Sequence, residues 1–205
     1  AIVESGSITS MPNGNKGVEI NGIKHPADIF TIKWTESERN AIGVYTVEID
    51  GTNKKNQEWY INTNITYTYD SSANKVKGAY GTATAKPYAD TKWTQSEIDA
   101  GTAPAGSDTN TVKTEGLKTI LIKAVKSEAQ AELGKTDWYV VRKADTSEAV
   151  PSDIATHRAA VRTKQAEMET SITNAADTAA LETLYTYTLK DGVTSRPLGE
   201  IPILE

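Results

Sequence analysis

The chain has 205 residues, with 14 Gly, 7 Pro, no Cys and a formal charge of −5. Its 38% hydrophobic residues are too many for a disordered chain, and its 24% charged residues are too many for a membrane protein. The lack of Cys excludes disulfides, a thiolate nucleophile and cysteine metal sites. The negative charge removes the electrostatic case for nucleic acid or an anionic membrane surface. At this length about 70% of the unfolded surface can be buried, enough for one large or two small domains.

The N-terminal residues Ala1–Gly6 carry no basic region and no apolar stretch of leader length, so the chain is expected to be made in a cytoplasm and to stay soluble. Residues 1–43 read as short extended pieces broken by turns. Met11–Gly17 is turn-rich, and Asn21-Gly22 between Val18-Glu19-Ile20 and Ile23-Lys24-His25 signals a two-residue hairpin. Thr35-Glu36-Ser37-Glu38 spells a capping box for a short helix that Gly43 stops. From Trp59 to Tyr69 the chain alternates: Trp59, Ile61, Ile65, Tyr67 and Tyr69 point one way, while Tyr60, Asn62, Asn64, Thr66 and Thr68 point the other. With the stripe Tyr45, Val47, Ile49 before it and Val76–Ala85 after it, this predicts a three-stranded antiparallel meander.

Trp93-Thr94-Gln95-Ser96-Glu97 repeats Trp34-Thr35-Glu36-Ser37-Glu38, a second capping box after Trp and not a duplication, because the flanks do not repeat. Residues 100–112 have linker composition. Beyond them Leu117, Ile120, Leu121, Ala124, Val125 and Ala129 predict one face of a helix closed by Gly134. Trp138–Arg142 reads as a short strand. Ser152 is expected to cap a helix after Pro151, with Ile154, Val161, Met168 and Ile172 inward; Asp177 caps another, with Leu181 and Leu184 inward. The expected fold class is α+β: a β-rich domain over 1–99 built on an antiparallel meander, a linker over 100–112, and a mostly helical domain over 113–205. The last of these ends in an extended apolar tail, Arg196–Glu205.

Little in the chain points to chemistry. Gly134-Lys135-Thr136 ends a relaxed phosphate-loop pattern, but a helix precedes it where a strand and Gly-rich loop are required. His25 and His157 lack the spacing of a zinc site and read as surface residues. The acids are scattered, so no catalytic, cofactor-binding or metal-ligating residue is nominated. The aromatic stripe Trp59, Tyr67, Tyr69 reads as packing more than as a sugar platform.

Two stretches carry a resemblance. Asn21-Gly22-Ile23-Lys24-His25-Pro26, with Trp34–Arg39 and Ile42-Gly43-Val44, resembles a segment of tailed-bacteriophage tail proteins, where an Asn-Gly hairpin precedes a short helix ending in Ile-Gly. Thr136-Asp137-Trp138-Tyr139-Val140-Val141-Arg142, with Val150-Pro151 and Arg158–Arg162, is similar to the C-terminal module of phage tail-fibre and tail-fibre-assembly proteins. Assembly-chaperone versions follow Trp with a Thr-Gln-Leu-Pro-Asp type of stretch and carry Tyr at the position of His157. The departures here favour a component retained in the virion. The resemblance implies a non-enzymatic virion structural protein of the tail, baseplate or fibre region, partnered by other phage structural proteins and by copies of itself, with neither nucleic acid nor membrane. The alternatives are a non-virion assembly chaperone and a carbohydrate-binding receptor module. Trp138 is expected to anchor the C-terminal core or, if exposed, to be an interface hot spot. Ile201, Ile203 and Leu204, with an exposed sheet edge at Val76–Ala85, are expected to make contacts between chains.

Overall fold

The computed structural model describes every residue except Asn13, Asn15, Ile32 and Glu205, so part of the Met11–Gly17 turn and the end of the tail lie outside the described residues. Packing divides the chain into two units, Ala1–Thr84 and Ala85–Glu205. Small sheets dominate the first and helices the second, as the α+β reading requires.

In the first unit, strands Val18–Ile20 and Ile23–His25 pair as a hairpin around Asn21 and Gly22, both at positive φ (50° and 76°). That is the backbone twist an Asn-Gly turn supplies. Helix α1 (Glu36–Ala41) begins with the expected capping box: Glu38 N–H donates to Thr35 Oγ1 and Thr35 N–H to Glu38 Oε2. Gly43, at φ 82°, follows its end. Ile2, Ile20, Ile29 and Val44 make a buried cluster, with Val18, Phe30, Trp34 and Ile42 against it.

The strands read as a meander do form one sheet, but in a different order. Val47–Asp50 pairs in parallel with Lys75–Tyr80, which in turn pairs antiparallel with Ile65–Asp70. Lys75–Tyr80 is therefore the central strand, not the exposed edge expected at Val76–Ala85. The local turn explains part of this. The Asp70 carboxylate accepts the Ser72 and Ala73 amides, closing the 65–80 hairpin and leaving the other side of 75–80 open to pairing. Gly78 explains the rest, because Ile49, Tyr67 and Ile65 all close over the place where its Cβ would stand. The long strand expected over 59–69 is interrupted at 62–64: the Asn62 side chain grips both the N–H and the C=O of Lys55. Trp59 is buried as expected, whereas Ile61 points outward.

In the second unit, Thr91–Lys92 pairs with Val112–Thr114. The stretch expected as a linker thus lies within a loop closed by that pairing and follows directly on helix α2 (Gln95–Asp99). Its capping box holds too: Lys113 and the Thr94 N–H and hydroxyl bring the Glu97 carboxyl down to about 2. Helix α3 (Leu117–Gly134) starts against residues 87–90. Its first amides, of Leu117 and Lys118, donate to the carbonyls of Pro87 and Tyr88, and Gly116 N–H donates to Asp90 Oδ1 at 2.7 Å. Donors that a helix start leaves open are thereby satisfied from within the unit.

Helix α4 (Asp137–Thr146) follows at once, then α5 (Ser152–Asn174) and α6 (Thr178–Tyr185). α5 runs antiparallel to α3: Lys118 Nζ reaches the Thr173 carbonyl at one end, and His157 meets Glu132 at the other. Ile154, Val161, Met168 and Ile172 are buried as expected. On α3 the buried stripe is Val125, Ala129 and Glu132, rotated from the expected face, so that Ile120 and Ala124 are exposed. Pro151, not Ser152, is the N-cap residue of α5, because Ser152 already lies inside the first turn. Asp177 does cap α6, accepting Ala180 N–H at 2.8 Å. The Leu181 side chain behind it is buried.

A Cβ added at Gly116 would stand 2.8 Å from Ala89 Cα and closer still to its carbonyl group, and backbone cannot swing aside as a side-chain tip can. Gly116→Ala should therefore lower the urea midpoint of the second unit, costing about 1–3 kcal/mol of overpacking strain.

Candidate functional site

The segment Trp138–Arg142, expected as a strand, is helical and belongs to α4. Five apolar or aromatic residues in a row do not distinguish strand from helix by period, and local groups decide here. Asp137 sits in the first turn and Lys143 in the last, each at the end its charge favours. The Arg142 guanidinium lies over the Trp138 and Tyr139 rings, 4.8 and 5.3 Å from their centroids, which needs the i,i+3 and i,i+4 spacing of a helix. Ser147, in the left-handed region at φ 63°, ends the helix by donating its N–H to Lys143 C=O.

None of the residues of α4 is buried. Trp138 is 52% exposed, and Val140 and Val141 are exposed beside it. Trp138 is therefore not the anchor of the C-terminal core, and the reading left for it is a contact residue on the surface. The core is closed instead by side chains of α3, α5 and α6 with Leu198 and Ile201.

Beneath α4 lies a buried polar cluster. Arg158, 7% exposed, donates from Nη1 to the Leu133 carbonyl and to Thr136 Oγ1, both at 2.7 Å, and from Nη2 to Asp137 Oδ1 at 2.9 Å. One planar guanidinium thus holds the last turn of α3, the junction and the first residue of α4. Glu132, 5% exposed, stands beside it. Its carboxylate takes Lys135 Nζ, faces His157 Nε2 at 3.1 Å and accepts Leu204 N–H at 2.7 Å. Lys135 foremost, then the Leu204 amide and His157, hold the Glu132 carboxyl below its ordinary value against the opposing effect of burial. The carboxylate only accepts, so the proton on His157 must sit on Nε2.

His157 was expected at the surface, but its side chain is only 10% exposed because Glu132 draws it inward. Gly134-Lys135-Thr136 lies between two helices with no loop ahead of it, and Lys135 is engaged by Glu132. His25 ends a strand, edge-on to Trp34 at 6.3 Å. Among the described residues no three His, Cys, Asp or Glu side chains gather as a metal site would require, and no helix is long and apolar enough to cross a membrane. Of the aromatic stripe, Trp59 is in the core and the Tyr69 ring lies 4.6 Å from that of Tyr45.

The tail residues separate. Ile201 is buried with Leu198, while Ile203 is 71% exposed and Leu204 is partly so. Of these three apolar residues, Ile203 and the Leu204 side chain remain available to another chain. Ahead of the tail stands a hairpin beyond the elements expected from the sequence, Thr188–Lys190 with Val193–Ser195, turned by Asp191 and Gly192 at positive φ. Asp-Gly between apolar residues was the signal for it. Its strands are exposed throughout, with Leu189 and Val193 outward.

Trp138→Ala should change thermal stability little, by less than about 1 kcal/mol, since an exposed ring loses only its stacking. Arg158→Ala should be far more costly, at about 1.5–3 kcal/mol for each buried charge-assisted hydrogen bond lost, and Arg158→Lys should not restore it. Deleting residues 197–205 should destabilise the isolated protein, because Leu198 and Ile201 each contribute about 1.5–3 kcal/mol by burial. Differential scanning calorimetry checks all three. No protein-family model matches this chain, and no curated protein or solved structure matches it either.

Proposed function

We propose that the protein is a non-enzymatic structural component of a bacteriophage virion, in the tail, baseplate or fibre region, that works by docking onto other chains. The observation that carries this reading is helix α4, which gives no residue to the core and turns Trp138, Val140 and Val141 outward. Exposed aromatic and β-branched residues grouped on one short helix are what a protein contact uses, with Trp the commonest energetic anchor. The hairpin with Leu189 and Val193 offers further apolar surface of the same kind. The resemblance of the Asn21–Val44 and Thr136–Arg162 stretches to tail and tail-fibre proteins supplies the phage context, with other tail proteins and further copies of the chain as partners.

Mass spectrometry of purified particles tests this reading. The chain should be present in fixed stoichiometry with the tail proteins. Accumulation in the lysate with absence from particles would overturn the reading in favour of an assembly factor. A Trp138→Ala/Val141→Ala variant should fold normally yet enter particles about thirty-fold less readily, the factor that a hot-spot loss of ~2 kcal/mol represents.

A further inference from the structure

The tail runs along the helices of its own unit and is hydrogen-bonded to two of them, α6 and α3. Leu198 N–H donates to the Leu184 carbonyl on α6 at 3.0 Å. Gly199 passes beside the tip of the Lys164 side chain of α5, where an added Cβ would lie 2.5 Å from Nζ. At the far end Leu204 N–H reaches Glu132 Oε1 on α3, 72 residues away in sequence. Between these points Ile201 is buried, and beyond it Ile203 is exposed. The fastenings differ in kind. The first is a neutral backbone bond beside a buried leucine, whereas the last is a single amide held by a carboxylate.

We propose that residues Gly199–Leu204 form a releasable strap whose latch is the charged Glu132 carboxylate, so that loss of that charge frees the strap while α3, α5 and α6 stay folded. The groups around the latch set the direction of the response. Glu132 faces Lys135 at the end of its own helix and His157 from α5, with Arg158 of α5 and Asp137 of α4 paired alongside. In the tail itself Arg196 and Glu200 pair with each other, and Tyr187 donates its hydroxyl proton to Glu200. All the contacts made to Glu132 favour its charged form, which holds it below the ordinary carboxyl value of 4.5. A carboxyl depressed on folding contributes its stability above the unfolded value and loses it as pH falls through the folded one. The strap is therefore closed at neutral pH and opens in acid. Opening bares Ile201 next to the already exposed Ile203.

Amide hydrogen exchange on the whole protein reads the latch directly. Glu132→Leu keeps the volume and removes both acceptors. It should speed exchange at Gly199–Leu204 by about ten- to a hundred-fold, as loss of one charge-assisted hydrogen bond predicts, with protection of α3 and α5 retained. Unchanged exchange at these amides overturns the proposal. So does equal loss of protection throughout the helices, which would make Glu132 a core residue and not a latch. The unaltered chain supplies the second measurement. After correction for intrinsic rates, protection at Leu204 should fall below pH 4.5 while the helices remain protected. Loss of tail and helix protection at the same pH overturns the proposal as well.

Discussion

The Arg158 guanidinium is the interaction on which the C-terminal unit turns. At the α3–α4 junction the Leu133 carbonyl accepts the Thr136 N–H and hydroxyl, and Arg158 adds a charged donor from the neighbouring helix to both that carbonyl and Thr136 Oγ1. A buried cation needs partners on all sides, and here they come from α3, the junction and α4 together. The consequence is geometric. α4 is fixed in direction by its first residue, Asp137, and is released from any duty in the core. Its apolar residues can therefore face outward without loss to the fold.

Glu132 extends the same arrangement by one step. It lies one residue before Leu133, so the turn that presents its carbonyl to Arg158 also points the carboxylate at His157 and Leu204. Two adjacent buried charges of opposite sign, each satisfied by different partners, tie five pieces of chain together: α3, the α3–α4 junction, α4, α5 and the tail. Such clusters add less net stability than apolar packing would, but they define one arrangement and penalise the others. A tail held in this way is ordered by a polar contact at its tip and by apolar contacts at Leu198 and Ile201.

The N-terminal unit is built on the opposite principle, with local turn chemistry setting short pieces and a small apolar cluster gathering them. Asn21-Gly22 and the Thr35–Glu38 box act within a few residues of themselves. A non-local choice is the seat of Val47–Asp50, where a parallel pairing with Lys75–Tyr80 wins because Gly78 leaves room for Ile49 and Tyr67 above it. Parallel neighbours need a long connection, and residues 51–74 supply it through the 65–80 hairpin.

The elements whose causes lie within a turn or two were legible in the residues alone. These were the Asn-Gly hairpin, both capping boxes, the Asp177 cap and the inward stripe of α5, together with the α+β division that they imply. Tertiary structure alone decided which strand lay in the middle of the sheet, since period-2 patterning states which face is buried but not which neighbour is paired. It also decided that Trp138–Arg142 is helix and outward, because a run of apolar residues carries no period and its exposure depends on what Arg158 already holds. Glu132, His157 and Arg158 look like ordinary helix-surface residues in a single chain. Their roles appear only when residues 25 and 72 positions apart are brought within hydrogen-bond distance by the antiparallel packing of α3 on α5 and the return of the tail.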